Sequence, residues 1–135
     1  ATGLDLPVNV RGCVADCGFS SIYKQFAVRL GDFHVPEFPG MFFARNLVRI
    51  KIGYDMKKCS SVEAVKKSVT PTLFIHGDAD TYVPFSMLEE IYTAAQCPKE
   101  KLVVPHAGHA ESAFTEPELY WSTVDSFVER YFNAE

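Results

Sequence analysis

Apolar positions along the chain fall into three short continuous runs, with helically spaced stretches between and after them. Residues 10–16 (VRGCVAD) form a mostly apolar run that stops at Cys17-Gly18. Residues 72–76 (TLFIH) form a second, preceded by Pro71 and stopped by Gly77. Residues 101–105 (KLVVP) form a third. Runs this short, bounded by turn residues, predict buried strands. After the second run, Ser86 and Glu89 have the spacing of a capping box, with the serine as N-cap. Met87, Leu88, Ile91, Tyr92 and Ala95 follow at helical intervals, and Pro98 comes where that helix should have ended. Thr115 and Glu118 repeat the capping-box spacing, with Pro117 in the first turn. Tyr120, Val124, Phe127, Val128 and Tyr131 then mark one buried stripe. Strand and helix alternating in this way predict a parallel sheet with right-handed crossovers.

Residues 18–70 break the rhythm, because they are too many for one crossover. Residues 31–40 (GDFHVPEFPG) carry two prolines and two glycines and read as a loop. Residues 21–30 and 41–52 flank it with helical patterns. A short helix over 61–67, capped by Ser60, is expected next. The stretch reads as an excursion over the strand ends, the kind that shapes a pocket.

Length and charge narrow the classes. A chain of 135 residues predicts one domain with a real core. Its net charge of −4 argues against a nucleic-acid footprint. No apolar run is long enough for a membrane span. Lys51, Lys57, Lys58, Lys66 and Lys67 read as solvated helix faces. Cys13 and Cys17, four apart on or after a strand, would lie about 13 Å apart at a strand's rise, beyond disulfide reach. No paired zinc-type cysteine pattern occurs. Cys13, Cys17, Cys59 and Cys97 are therefore expected to be buried free thiols, which favours a reducing, cytoplasmic compartment.

The chemistry concentrates in two loops that begin where strands end. One is His76-Gly77-Asp78-Ala79-Asp80-Thr81-Tyr82-Val83-Pro84, and the other is Ala107-Gly108-His109. Ligands of open parallel sheets bind beyond the carboxyl ends of the strands. An aspartate there can fix the tautomer of a neighbouring imidazole, whose second nitrogen then takes a proton. His76-Gly77-x-x-Asp80-x-x-Val83-Pro84, followed about 30 residues later by Gly108-His109, resembles the C-terminal part of an α/β-hydrolase, of the bacterial esterase and serine-peptidase-like group. The opening Asp5-Leu6-Pro7-x-Asn9-Val10-Arg11-Gly12 resembles the lead into the strand after that family's nucleophile helix. The resemblance implies Asp80 as triad acid and His109 as triad base. It implies a three-layer α/β/α partial hydrolase fold of about three parallel strands, a single unit over 1–135 with a cap-like excursion at 18–70.

The departure from the family is the nucleophile. Its elbow reads G-x-S-x-G and precedes the acid. None of Ser20, Ser21, Ser60, Ser61, Ser68, Ser86, Ser112, Ser122 and Ser126 has glycine at both flanks. Gly18-Phe19-Ser20 comes nearest but lacks the second glycine. The early strand that would supply an oxyanion-hole amide is also missing. The expectation is thus the C-terminal portion of a serine hydrolase for ester, thioester or amide substrates, inactive alone. A non-catalytic binding or assembly module on the same fold is the alternative. A metal-assisted hydrolase using His106, His109, Asp78 and Asp80 is a third reading, but no metal or other cofactor is assigned.

The remaining candidates have plainer expectations. His76 and Asp78 are expected to brace their loop, and Asp16 to form a turn. Trp121 is expected to pack. Phe33, Phe38, Phe42 and Phe43 could line an acyl pocket or fill the core. The run at 10–16 would be a bare sheet edge without the nucleophile strand, so a homodimer through that edge, or pairing with an N-terminal half, is expected.

Overall fold

The structure, a computed structural model, describes residues 6–7 and 9–132. Asp5, the first residue of the opening motif, lies outside them. Three strands, β1 (Cys13–Asp16), β2 (Thr72–Gly77) and β3 (Lys99–Val104), form one parallel sheet in the order β1-β2-β3. The central strand carries no carboxylate or ammonium and is buried along its whole length. Strand β1 alternates between half-buried and exposed residues and begins three residues later than its apolar run, so 10–12 lead into the sheet without pairing in it. Strand β3 begins two residues earlier than expected, at Lys99.

Alternation along the strands sorts side chains to two faces. Leu73, Ile75, Leu102 and Val104 pack with Ala107 and Phe127 on one face, where Tyr120, Val124 and Tyr131 of α6 (Pro117–Phe132) complete the layer. Phe74 packs on the other face against Leu88 and Ile91 of α4 (Phe85–Ala94), with Val62 and Val65 of α3 (Ser61–Val65) beside them. These helices and the sheet make the three layers. Fully burying one side chain such as Phe127 stabilises the fold by about 1.5–3 kcal/mol.

The excursion comprises α1 (Ile22–Asp32), α2 (Glu37–Ile52), a 3₁₀ turn at Met56–Lys58, and α3. Ser21 caps α1 by accepting the Lys24 N–H, and Ser60 caps α3 by accepting the Glu63 N–H. An isolated antiparallel bridge between Ser21 and Ser60 ties the two ends together. Helix α2 ends at Gly53, whose φ of 73° permits its N–H to reach the Arg49 carbonyl.

Several expectations change. The stretch 31–40 is not one loop: Gly31 extends α1, and α2 begins at Glu37 with non-helical backbone at Phe38. Helix α4 starts two residues early, with Pro84 rather than Ser86 as N-cap, because the Met87 N–H already bonds the Pro84 carbonyl. Thr115 does not cap α6; it closes the short helix α5 (Ser112–Thr115), and α6 starts at Pro117. Val128 falls off the buried stripe, and Trp121 is exposed, its ring edge-on to Tyr120. Phe33, Phe38, Phe42 and Phe43 all face outward, so they fill no core here.

Gly77 shows why the two site loops interlock. A Cβ on it would stand 2.1 Å from the Ala107 carbonyl oxygen and 2.6 Å from its carbon. The Ala79 N–H donates to that same oxygen, and the Asp78 N–H to the Val104 carbonyl. We therefore expect Gly77→Ala to push the histidine loop off β2 and destabilise the fold by about 1–3 kcal/mol, read as a lower urea midpoint. An unchanged midpoint would refute this account of the packing.

Candidate active site

Strands β2 and β3 end side by side, with Gly77 opposite Val104. The two site loops therefore leave the sheet at neighbouring points. Asp80 lies three residues past β2 and is buried. Its Oδ1 accepts the N–H groups of Tyr82 and Val83, each at 2.8 Å. Its Oδ2 lies 2.9 Å from His109 Nδ1 and 3.2 Å from His76 Nε2. His76, fully buried, donates from Nε2 to the Val83 carbonyl at 2.9 Å. Burial alone would raise the Asp80 carboxyl. The His109 ring and the two loop amides outweigh it and hold the group below the ordinary carboxylate range.

The neighbouring carboxylate has a different part. Asp78 Oδ1 accepts the His106 N–H at 2.6 Å and so staples the two loops together. His106 adopts a φ of 61° there. Among the described residues, neither His106 nor Asp78 joins a cluster of potential metal donors. The four-residue metal set expected as a third reading is not assembled.

His109 sits on a loop anchored on both sides. Ala107 packs under Gly77, and Glu111 Oε2 accepts the Gly108 N–H at 3.1 Å. The Tyr82 ring lies 4.7 Å from the imidazole, centroid to centroid, and the Arg29 guanidinium lies 4.6 Å from the centre of the same tyrosine ring. Helix α1 also holds the acid loop through Gln25 Nε2 to the Tyr82 carbonyl at 2.7 Å and Arg29 to the Thr81 carbonyl at 2.9 Å. The first helix of the excursion is thus a brace for the acid.

A residue that the motif reading left as a plain buried thiol also reaches the site. Cys17 follows β1 directly and has a φ of 53°, a left-handed conformation that non-glycine residues rarely hold. Its N–H donates to the Ile75 carbonyl. Its sulfur accepts the Ala110 N–H at 3.2 Å, and its S–H points to Asp16 Oδ1 at 3.1 Å. Burial pushes the thiol pKa up to about 12, more than the Ala110 N–H lowers it. Sγ, an Asp80 oxygen and a His109 ring nitrogen all lie within 4.8 Å of one another. The available signal was its place: a polarisable side chain at the carboxyl end of a parallel strand.

A hollow of about 460 Å³ opens beside His109, lined mainly by Cys17, Phe19, Ile22, Phe26 and Tyr82. No serine lines it among the described residues. Ser20 and Ser21 line a separate hollow with Lys24, Phe85 and Glu90. The phenylalanines of 33–43 are not in the hollow beside His109; Phe19 and Phe26 take that place.

No family model matches the sequence. A Bacillus subtilis (strain 168) protein named YqkD, described as uncharacterized, is 30% identical over 117 residues, which are 86% of this chain and 38% of that protein. A Salmonella typhi protein named YfhR, also described as uncharacterized, is 31% identical over 70 residues, 50% of this chain and 24% of that protein. The chain thus spans well under half the length of these relatives. Among solved structures, an esterase of Pyrococcus furiosus superposes with a TM-score of 0.64 at 22% identity, covering 92% of this chain and 47% of that one. An acylaminoacyl peptidase of Pyrococcus horikoshii superposes at 0.68 and 16% identity, covering 93% and 20%. An α/β-hydrolase enzyme from a lagoon-sediment metagenome superposes at 0.55 and 16%, covering 89% and 50%. The architecture is a partial α/β-hydrolase fold, three parallel strands with flanking helices.

The Asp80 carboxyl titrates lower in the folded chain than in the unfolded one. Its contribution to stability is complete above the unfolded value of about 3.9 and is lost as pH falls through the folded value, where the unfolded chain binds more protons. Urea midpoints measured across the acid range should therefore fall more steeply below about pH 4 for the native chain than for Asp80→Asn. Parallel curves would contradict this.

Proposed function

We propose that this chain supplies the acid and the base of a serine hydrolase acting on carboxylic esters, thioesters or amides. The observation that carries the reading is the 2.9 Å contact between His109 Nδ1 and Asp80 Oδ2, at adjacent strand ends of this fold. Asp80, ionised and buried, keeps the ring proton on Nδ1 and leaves Nε2 free as an acceptor. Nε2 takes the nucleophile's proton as the tetrahedral intermediate forms. Asp80 stabilises the resulting imidazolium, which then protonates the leaving group. The apolar lining of the neighbouring hollow suits the hydrocarbon part of an acyl or alcohol group. The nucleophile is a serine on a G-x-S-x-G segment outside these 135 residues, so the chain alone is inactive. The region 18–70 serves as a cap, with α1 bracing the acid loop.

The test is hydrolysis of a p-nitrophenyl ester by the chain joined to its serine-bearing segment. His109→Ala should lower kcat by about 10³-fold or more, and Asp80→Asn by about 10²- to 10⁴-fold. Full activity in His109→Ala would sink the reading. The serine-free hollow also favours a second reading, a non-catalytic binding or assembly module on the hydrolase fold. That reading gains if the joined protein binds an ester without turning it over.

The sheet edge bears on assembly. Cys13 and Cys17 direct their N–H groups to Pro71 and Ile75, on the β2 side. Strand alternation then turns the Val14 N–H to the open side of β1. We propose that this edge pairs with the nucleophile strand, or with a second copy of β1 when that strand is missing. The isolated chain should scatter light as a dimer, and Val14→Pro, which removes only the outward donor, should make it monomeric. A native monomer would overturn the proposal.

A further inference from the structure

We propose that Cys17, Asp80 and His109 form a binding site for a thiophilic divalent cation of the zinc class, which withdraws the acid and the imidazole from proton transfer when it binds. Three different elements bring the donors together: the end of β1, the loop after β2 and the loop after β3. One thiol sulfur, one carboxylate oxygen and one imidazole nitrogen lie within 4.8 Å of one another. Around a tetrahedral zinc, with bonds of about 2.0–2.3 Å, such donors stand roughly 3.3–3.6 Å apart. Side-chain shifts of about 1 Å close that difference.

The surroundings favour the metal-bound form. Asp80 already commits Oδ1 to two loop amides, so Oδ2 is the oxygen left for a cation. The Ala110 N–H points at the Cys17 sulfur and would remain bonded to a metal-bound thiolate, the kind of supporting contact that tunes metal sites. Asp16 Oδ1, 3.1 Å from the same sulfur, is placed to receive the proton that the thiol gives up. Cys17 and Asp80 are buried, while the His109 side chain is 37% exposed. The fourth position would thus open on the hollow and take water.

The exchange balances simply. The cation forms a bond to sulfur, and the thiol proton leaves to Asp16 and then to solvent. If the ring binds through Nδ1, its proton moves to Nε2 and the imidazole stays neutral. Because the sulfur must give up its proton to bind the cation, affinity must rise with pH. Zinc, rather than calcium or magnesium, fits a set containing sulfur and imidazole.

Cobalt(II), titrated into the purified protein under reducing conditions, reads the site without any assay of catalysis. One equivalent should produce a thiolate-to-cobalt charge-transfer band, displaced by zinc and strengthened as pH rises. The band should vanish in Cys17→Ser and persist in Cys59→Ser. Affinity should fall about 10-fold or more in His109→Ala, a change at an exposed side chain that leaves the core intact. No band in the native protein, or a band that survives Cys17→Ser or is equally tight in His109→Ala, would overturn the proposal. The ester assay is independent of this outcome, so failure of the cation site and failure of the hydrolase reading are separable.

Discussion

The buried carboxylate of Asp80 is the constraint on which the rest of the site depends. A charge out of water is strongly unfavourable unless donors surround it. Here three N–H groups bond to it, two loop amides on one oxygen and His109 on the other, and His76 Nε2 lies 3.2 Å from that second oxygen. Each donor is held by something else. His76 is fixed within β2 and by the Val83 carbonyl. Tyr82 and Thr81 are gripped through their carbonyls by Gln25 and Arg29 of α1. The excursion between β1 and β2 thus acts on the acid by holding its loop, not by touching it. Removing a single donor leaves the others and the charge in place, so damage should spread through the loop rather than stay at one bond.

The second feature is stored backbone strain. Cys17, His106 and Ala110 hold left-handed φ angles of 53°, 61° and 58°. Cys17 reaches the Asp80–His109 pair, and His106 and Ala110 flank His109 on its loop. Such conformations each oppose folding by about 1–3 kcal/mol and persist where the surroundings over-determine them. Here they do. Cys17 and Ala110 are joined by the sulfur–amide hydrogen bond, and His106 is held by Asp78. Gly77, pressed against the Ala107 carbonyl, leaves the histidine loop no room to relax toward β2. Strain at both ends of the loop and contact under its middle leave His109 one position.

What could be read from the sequence follows from which signals are local. Strand β2 was legible because a short run at 72–76, bounded by Pro71 and Gly77, buries both faces as a central strand. The Asp80 and His109 loops were legible because parallel strands place successive loops at one edge. The part of each residue in a reaction is a further proposal. The beginning of β1 was not legible, since Val10 joins residues 10–12 to the same run and only pairing distinguishes them from the strand. The N-cap of α4 was misplaced because a serine three before a glutamate outweighed a proline carbonyl that needs no side chain to cap. The outward phenylalanines of α2 were misjudged because apolar spacing says which residues share a face, not what covers it. Cys17 escaped because its meaning lies in a φ angle and in contacts 93 residues away.

The same three side chains would be asked for opposite states by the proposed proton transfer and by the proposed cation binding. Proton transfer requires hydrogen on Nδ1, an ionised Asp80 and an inert Cys17. Cation binding requires a lone pair from the ring and a thiolate. The protein biases that choice through placement: the Cys17 thiol is buried and directs its proton to Asp16 Oδ1, so a cation must displace that proton before it can bind the sulfur. A serine, incapable of ionising there, would remove the conflict. A more exposed cysteine would tip it toward the metal. The buried, strained placement of Cys17 leaves the acid–imidazole pair intact at low cation levels and still vulnerable at high ones.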